Sequence, residues 1–597
     1  YKGLGTSTSQ EAKEYFKDLD NSEIRYLWNE DLAVDLTINL AFNKDMSDNR
    51  KEWLGNYDRN LIIEHNQKDI PIEDFINKDL IHFSNADNHR SIPNIFDGLK
   101  PSTRKIVYCA FKRKLNAEIR VAQLAGYVSE HGAYHHGEAS LNGAIVNLAQ
   151  NYVGTNNINL LMPEGTFGSR LYGGKDYAAP RYIHTYLSKI THILFNKDDQ
   201  PLLKLTEDDG ATVEPVFYMP IMPLVLINGT TGIGTGWSSD IPQFNPLDVL
   251  NNIRRLMLGQ DVVAMVPWYR GFTGSVRRLA ANQWMTKGKY RVVDGTTVEI
   301  TELPVGSWTQ DFKNVLDMYE AGFKTGGDAA GDKKKAKTPA AEAKKPKWAA
   351  FADANGKLIK SYKNMSSESQ VRFTITFDPA VLNKLMQGVD KQGLSEFEKL
   401  FCLSSKLSCA RTMNLYDENN RLRNFKSPEE ILTYYYTHRL EYYGKRRDYL
   451  IGILEQEVFM LSTRARFILD VINEVIRIRN VPRAEVVAQL LALGYPIMGD
   501  SDALVSLERA TAKQKEDANY DYLIRMPIYS LTKEKVDELM QEKEAKIKEL
   551  EALRAKTDKD LWEADLRVFE LEFKKHMDEF CDYMDINPKD IESRMPK

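Results

Sequence analysis

Apolar residues return every three or four positions over a long stretch of the chain: Leu440, Tyr443, Leu450, Leu454, Val458, Leu461, Ala465, Ile468, Ile472 and Val475, with Arg447 filling one gap. A helix turns once per 3.6 residues, so this spacing lines one stripe and predicts a coiled-coil seam. Ser427-Pro428-Glu429-Glu430 supplies the start, with a Ser N-cap, Pro at the first helical position and a Glu placed to close a capping box. A second helix of this kind is predicted from about Thr532, through Val536, Met540, Lys543, Ile547, Leu550 and Leu553. A segment containing Pro482 and Pro496 lies between them. The pattern predicts two antiparallel arms with a small domain at one end and further helices after Thr557. Helices packed in a plain bundle share nearly the same periodicity.

The period changes upstream. Thr297-Val298-Glu299-Ile300 and Val371-Arg372-Phe373-Thr374-Ile375-Thr376 alternate at period two, so residues 216–425 are predicted strand-rich. Residues 91–215 read as short helices divided by Gly and Pro. Pro101 starts one helix, running through Arg104, Ile106, Val107 and Phe111, and a second covers about 121–130. Helix, turn, helix with a basic flank fits a groove-binding module, and ordinary packing explains most such pairs. Residues 1–90 read as mixed α/β ending in a connector, with a turn at Gly3-Leu4-Gly5 and a helix over 9–18. Residues 326–347 are low in complexity, with seven lysines and little to bury, and predict a mobile basic loop, either a solvated linker or a segment that brushes DNA.

Composition narrows the class. Hydrophobic residues at 43% and charged residues at 27% are the balance of a globular protein, here of several domains. The longest apolar run, residues 216–227, is broken by Pro220 and Pro223 and too short to span a bilayer. No secretory leader opens the chain, and Tyr1 at its head suggests a piece of something longer. Cys109, Cys402, Cys409 and Cys581 show no metal-ligand spacing and fit a reducing compartment. A net charge of −4 does not announce a polyanion partner, so any such surface must be local. Residues 97–123 carry seven basic against two acidic side chains, whereas residues 530–597 carry 14 basic and 19 acidic, so only the former could hold phosphates. A solvated helix face is the alternative.

Few residues offer chemistry. The glycines of 168–175 have the wrong spacing for a Walker A phosphate cradle, so ATP hydrolysis is not supported. The glycine-dense loop 229–236 presents one apolar side chain, Ile233, either as a wedge between base steps or half-buried in a tight turn. His135-His136 after Tyr134 cannot both face one metal from a regular helix; one could meet a phosphate, and a purely structural role is the alternative. In Pro180-Arg181-Tyr182 a phenol, a poor nucleophile alone, stands beside a guanidinium that could neutralise a phosphate and the charge growing on it. A lone Arg-Tyr pair is common by chance. No Asp-x-Asp-x-Asp cluster occurs to hold Mg²⁺, and Asp18-Leu19-Asp20 ends a predicted helix as surface charge.

Taken together, Tyr1-Lys2-Gly3-Leu4-Gly5-Thr6-Ser7-Thr8-Ser9, Ile92-Pro93-Asn94-Ile95-Phe96-Asp97-Gly98-Leu99-Lys100-Pro101, Ala133-Tyr134-His135-His136-Gly137-Glu138, Gly173-Gly174-Lys175-Asp176, Pro180-Arg181-Tyr182, Gly232-Ile233-Gly234-Thr235-Gly236-Trp237 and Glu302-Leu303-Pro304 closely resemble eukaryotic-type DNA topoisomerase II, in that family's order. The resemblance implies the breakage–reunion core of a homodimeric type IIA enzyme, an isomerase that cuts one duplex, passes another through and reseals the first. It implies a multidomain α/β chain: the C-terminal part of TOPRIM and a connector (1–90), a winged-helix domain bearing the tyrosine (91–215), a strand-rich tower domain (216–425), and coiled-coil arms with a small helical C-gate for dimerisation (426–597). Tyr182 would form a 5′-phosphotyrosyl link, with Arg181 as transition-state stabiliser. Arg104 and His136 would surround the scissile phosphate, with His135 beside them. Arg50, Lys51, Lys100, Tyr134 and Trp308 would contact DNA, and Ile233 would insert into the bent duplex. The acidic seam-bearing helices would discourage retention of the transported duplex at the exit.

The resemblance places the Mg²⁺ ligands of TOPRIM upstream of Lys2-Gly3-Leu4-Gly5-Thr6, so this chain should carry no metal ligands, and the ATP-binding domain should be absent too. Gly306 stands where the family commonly has arginine. Having Tyr182 on one chain with the Lys-Gly-Leu-Gly-Thr segment argues against the bacterial two-subunit arrangement. Double-stranded DNA is the implied partner, with no membrane, and the nucleus the implied setting, or a host cell if the protein is viral. A DNA-binding scaffold without chemistry is the rival, against which the Arg181-Tyr182 pair and the paired histidines speak.

Overall fold

The computed structural model describes residues 7–28, 32–64, 68–208, 210–323, 346–499, 503–516 and 518–591. It divides into two compact units: Tyr1–Asn196, Leu203–Tyr436 and Leu566–Lys597 form one, Lys197–Leu202 and Thr437–Asp565 the other.

The first unit mixes helix and sheet. Helix Ser9–Lys17 forms at the predicted place because Thr8 and Glu11 close a capping box, the Glu11 carboxylate accepting from the Thr8 amide at 2.7 Å. The Gly3–Gly5 turn lies outside the described residues. Strand Arg25–Leu27 pairs in parallel with Asp69–Pro71. Helices Pro101–Lys112, Val121–His131 and Glu138–Ala149 pack on one another, with Pro101 in the first turn of its helix as expected. Their inward stripes, including Ile106, Val107, Leu124, Ala125, Leu141 and Ile145, are buried. A short ribbon pairs Ile119 with Thr185 and Arg120 with His184.

The strand-rich part holds a four-stranded antiparallel sheet in the order Lys289–Val292, Thr297–Glu302, Phe373–Thr376, Ser361–Asn364. Val298, Ile300, Phe373 and Ile375 face a core shared with helix Thr309–Ala321 and with Phe397. Alternation holds along Phe373–Thr376 but not along Thr297–Glu302. Glu299, which the period puts outside, is buried, its carboxylate held by Arg291 at 2.5 Å and Arg372 at 3.0 Å. A buried carboxylate is tolerable when two cations satisfy it, which a hydrophobic pattern cannot register. Residues 326–345 of the lysine-rich segment lie outside the described residues. Its end is no loop: Lys347–Ala350 is a 3₁₀ turn that buries Trp348.

Helix Pro428–Ile472 runs 45 residues. Ser427 caps it, its Oγ accepting from the Glu430 amide at 3.1 Å, but the Glu430 carboxylate takes the Lys426 amide at 2.7 Å, one residue before a capping box would. In the second unit Leu461, Ala465 and Ile468 bury against Val536 and Leu539 of helix Lys533–Ala555. Ion pairs from Lys546 to Glu457 (2.9 Å) and from Arg447 to Asp558 (2.8 Å) continue the antiparallel alignment. Three seam positions differ from the pattern. Leu539 rather than Met540 is buried. Arg439 and Arg446, beside the expected Tyr443, fill the seam's first turns in place of Leu440. The helix stops at Ile472, Glu474 turns to φ 57°, and Val475 is exposed. Between the long helices Phe467, Val486, Leu490, Tyr495, Ile497, Tyr520 and Leu523 build a separate small core. Two long helices thus pack together, with the small core formed by the residues between them. Among the described residues no helix is long and apolar enough to cross a membrane.

Candidate functional site

The first helical amides of Val121–His131 have no partner within their own helix. The loop carrying Arg181 and Tyr182 supplies two: Val121 N–H donates to the Ile183 carbonyl at 3.0 Å and Ala122 N–H to that of Pro180 at 3.1 Å. The Tyr182 amide closes the turn onto Ala179 O at 2.9 Å. The backbone is thus pinned on both sides while the side chain stays free: Tyr182 is 67% exposed, and the Arg181 guanidinium lies 4.9 Å from its ring centroid. A phenol and a cation presented on a fixed turn suit attack on a phosphate better than a core role.

His135 and His136 follow the other end of the same 11-residue helix, which is about 16 Å long. Ala133 holds φ 48°, a costly angle for a residue with a Cβ, and so turns the chain outward after Gly132. His135 is exposed, 3.6 Å from the Asp208 carboxylate, and His136 is exposed, edge-on to Tyr134. The two histidines thus follow one end of this helix, and the Arg181-Tyr182 loop meets the other. Tyr134, expected to contact DNA, is buried as the ring on which His136 rests.

Arg104 also departs from expectation. It is 5% exposed, donating from Nε to Asp97 Oδ2 at 2.7 Å and from Nη2 to Asp97 Oδ1 at 3.0 Å and Leu99 O at 2.9 Å. Lys105 turns inward too, holding the Gly132 carbonyl at 2.7 Å and Glu214 at 2.9 Å. The basic run of 97–123 is therefore partly structural; its outward cations are Lys112, Arg113, Lys114 and Arg120.

The glycine-dense loop forms a hairpin, Thr230–Ile233 paired with Ser238–Ile241. Ile233 at its tip is 80% exposed, which rejects the half-buried alternative. Three residues expected to contact DNA converge on this hairpin. Lys100 donates from Nζ to Thr231 O at 2.9 Å, and burial lowers its pKa. Lys51 sits 5.4 Å over the Trp237 ring, paired with Asp48 at 2.7 Å. Arg50 is buried, bonding the Leu40 carbonyl in the last turn of helix Leu32–Phe42 and the Asn43 carbonyl just past it, with its Cβ packed by Gly236. Arg50 is thus a helix cap rather than a surface cation.

Trp308 is half-buried at the start of helix Thr309–Ala321, edge-on to Tyr152 and against Gly173, where an added Cβ would meet the indole at 2.5 Å. Pattern reasoning missed the neighbouring pair Arg170–Glu302 (2.5 Å, both buried), although Glu302 opens the quoted Glu-Leu-Pro motif. It also missed Asp97, within the Ile-Pro-Asn-Ile-Phe-Asp motif. A charge placed inside an otherwise apolar motif was the available signal. Among the described residues no group of three or more His, Cys, Asp or Glu side chains could hold a metal ion.

A family model for the A-type subunit of DNA gyrase/topoisomerase IV matches residues 90–326 and 343–567, and one described as the C-terminal associated domain of TOPRIM matches residues 1–88. The chain is 42% identical to DNA topoisomerase 2-alpha of Gallus gallus, over 95% of this chain and 36% of that protein. It is 42% identical to DNA topoisomerase 2-beta of Homo sapiens, over 96% of this chain and 35% of that one. It therefore spans little more than a third of the length of the curated relatives it matches. Its fold is similar to the crystal structure of the Plasmodium falciparum topoisomerase II DNA-binding, cleavage and re-ligation domain, with TM-score 0.76 and 39% identity over 97% of this chain and 75% of that one.

Proposed function

Because the chain belongs to the type IIA DNA topoisomerase family, we propose that it is the part of such an enzyme that cuts and reseals double-stranded DNA, working as a homodimer in the nucleus or, for a viral protein, in a host cell. The observation that carries this is the exposed Tyr182 on its pinned turn with Arg181 over the ring. The Tyr182 Oη attacks a backbone phosphorus, forming an O–P bond while the bond from phosphorus to the 3′ oxygen breaks. The phenol gives up its proton and the departing 3′ oxygen takes one. Arg181 balances the charge that grows on the phosphoryl oxygens. One phosphoester replaces another, so the 3′ oxygen can reverse the step without nucleotide.

Domain roles follow the family: TOPRIM remnant and connector over 1–90, winged helix over 91–215, tower over 216–425, and coiled coil with C-gate over 426–597. The Mg²⁺ and ATP that the family uses are assigned to the two thirds of the relatives' length that this chain does not span, and no step here runs through them. His136, with His135 beside it, is among the residues around the scissile phosphate, and Ile233 wedges into the duplex. DNA is held chiefly through phosphates, so affinity falls steeply with salt, and bendability outweighs base sequence.

The test uses the full-length protein with supercoiled plasmid, Mg²⁺ and ATP, stopped with denaturant. Protein should be trapped on DNA 5′ ends, and Tyr182→Phe should remove the adduct while duplex binding persists. Adducts formed by the Phe variant would overturn the assignment.

A further inference from the structure

We propose that Asn88 is the positioning residue that aims the Ile233 wedge, a role that rests on the wedge reading above. Asn88 lies in helix Ile81–Ser91 and is 1% exposed. Its Nδ2 donates to the Thr235 carbonyl at 3.0 Å, two residues past Ile233 and 147 positions away in sequence. Its Oδ1 is buried without a hydrogen bond. Burying an amide oxygen unsatisfied is costly, a cost that persists where the geometry it enforces is used.

The fit around this amide is tight. A Cβ on Gly234 would lie 2.1 Å from Asn88 Oδ1, and one on Gly232 would lie 2.1 Å from the Ser91 carbonyl. Neither glycine has a positive φ, so close approach to this one helix, not backbone conformation, demands them. The exposed Ile233 is flanked by two contacts to the same helix. Lys100 on Thr231 O and Lys51 over Trp237 steady the two sides of the hairpin, while the Asn88 bond fixes the loop at its tip.

A wedge does work on the duplex only if its support does not yield. Opening a base step costs free energy, so a tip that can swing back dissipates the insertion as loop movement. Asn88 also falls at the junction of the regions matching the two family models, residues 1–88 and 90–326. The wedge, in the second, is thereby braced on a helix that begins in the first.

The test measures bend angle and affinity separately on the full-length protein without nucleotide: energy transfer across a short duplex labelled at both ends, and anisotropy of the same duplex, with thermal melting alongside. Asn88→Asp keeps the shape but cannot donate to Thr235 O; it should melt as a folded protein and bind DNA within about twofold of wild type while losing most of the bend. Gly234→Ala should do the same. Ile233→Ala is the reference. If it loses the bend while Asn88→Asp bends like wild type, the positioning role fails and the wedge stands. If bend and affinity fall together across the Asn88 and Gly234 variants, Asn88 is merely structural and the role again fails. If Ile233→Ala bends DNA like wild type, the wedge reading itself is wrong and this role goes with it.

Discussion

Arg104 and Asp97 form a buried pair closed at both edges, Nε to Oδ2 at 2.7 Å and Nη2 to Oδ1 at 3.0 Å. The same carboxylate accepts the Leu99 and Tyr218 amides, each at 2.9 Å, so it ties the helix Pro101–Lys112 to the turn before it and to a segment far along the chain. Removing one partner leaves the other charged and dry, at a cost of about 3–5 kcal/mol. Arg104→Ala should therefore lower the denaturant midpoint sharply. Arg181→Ala, on an exposed side chain, should change stability by no more than about 0.5 kcal/mol while abolishing the DNA adduct. A wild-type midpoint for Arg104→Ala would show that the pair contributes little, and would return Arg104 to the candidate phosphate ligands.

Gly173 adopts φ 64° and abuts the Trp308 indole, so a methyl group there is disfavoured twice. Gly173→Ala should destabilise the protein by roughly 1–3 kcal/mol. It should also slow adduct formation, because the 169–176 turn, closed by Ser169 Oγ on Asp176 at 2.6 Å, leads directly into the Arg181-Tyr182 loop. Trp308→Ala in the same molecule should restore part of the rate; failure to do so would mean that strain at φ, not the indole, sets the effect.

Arg270 donates from Nη1 to His576 Nε2 at 2.6 Å, and burial together with that cation pushes the imidazole down to about 3. The folded protein keeps His576 neutral while the unfolded chain protonates it near 6.5. Between these values the unfolded state binds more protons, so stability is present above about 6.5 and is lost as pH falls toward 3, by at most about 1.4 kcal/mol per pH unit. His576→Gln should flatten this slope in denaturant titrations between pH 7.5 and 4.5 (about three units of range). An unchanged slope would exclude His576 as its source.

In the second unit, Asp199 receives Arg439 at 2.7 Å and Arg446 Nε at 2.8 Å, and Arg446 reaches on to Asp565 at 2.6 Å. Burial alone would raise the Asp199 carboxyl, but the two guanidiniums outweigh it and hold its pKa below the ordinary value. The stability this gives is present above the unfolded carboxylate pKa and lost as pH falls through the folded one. Asp199→Ala should cost about 3–5 kcal/mol in thermal or denaturant unfolding, whereas replacing the acid and both arginines together by apolar residues should cost far less. Equal losses would show that shape, not charge, holds this seam.

Local pattern was sufficient where the physics is local. The Thr8 box, Pro101 in a first helical turn, the Ser427 cap and the three-four spacing of Leu461, Ala465 and Ile468 are each decided within a few residues, and the elements form where they were expected. Periodicity failed where a charge takes an apolar place: Arg439 and Arg446 in the seam, Glu299 in the sheet. Of the candidate residues, Tyr182, Arg181, His135, His136 and Ile233 are exposed, while Arg50, Arg104 and Tyr134 face inward.

The order of motifs, the helical and extended segments and the presence of an Arg-Tyr unit were determined by the sequence alone. Which cations are available to a polyanion was decided only by tertiary structure. A side chain turns inward when a counter-charge or carbonyl waits for it, and that partner can stand 132 residues away, as Glu302 does from Arg170, or 147, as Thr235 does from Asn88. No window along the chain contains both members of such a pair, and the desolvation balance that buries one and exposes another exists only once the fold has brought them together.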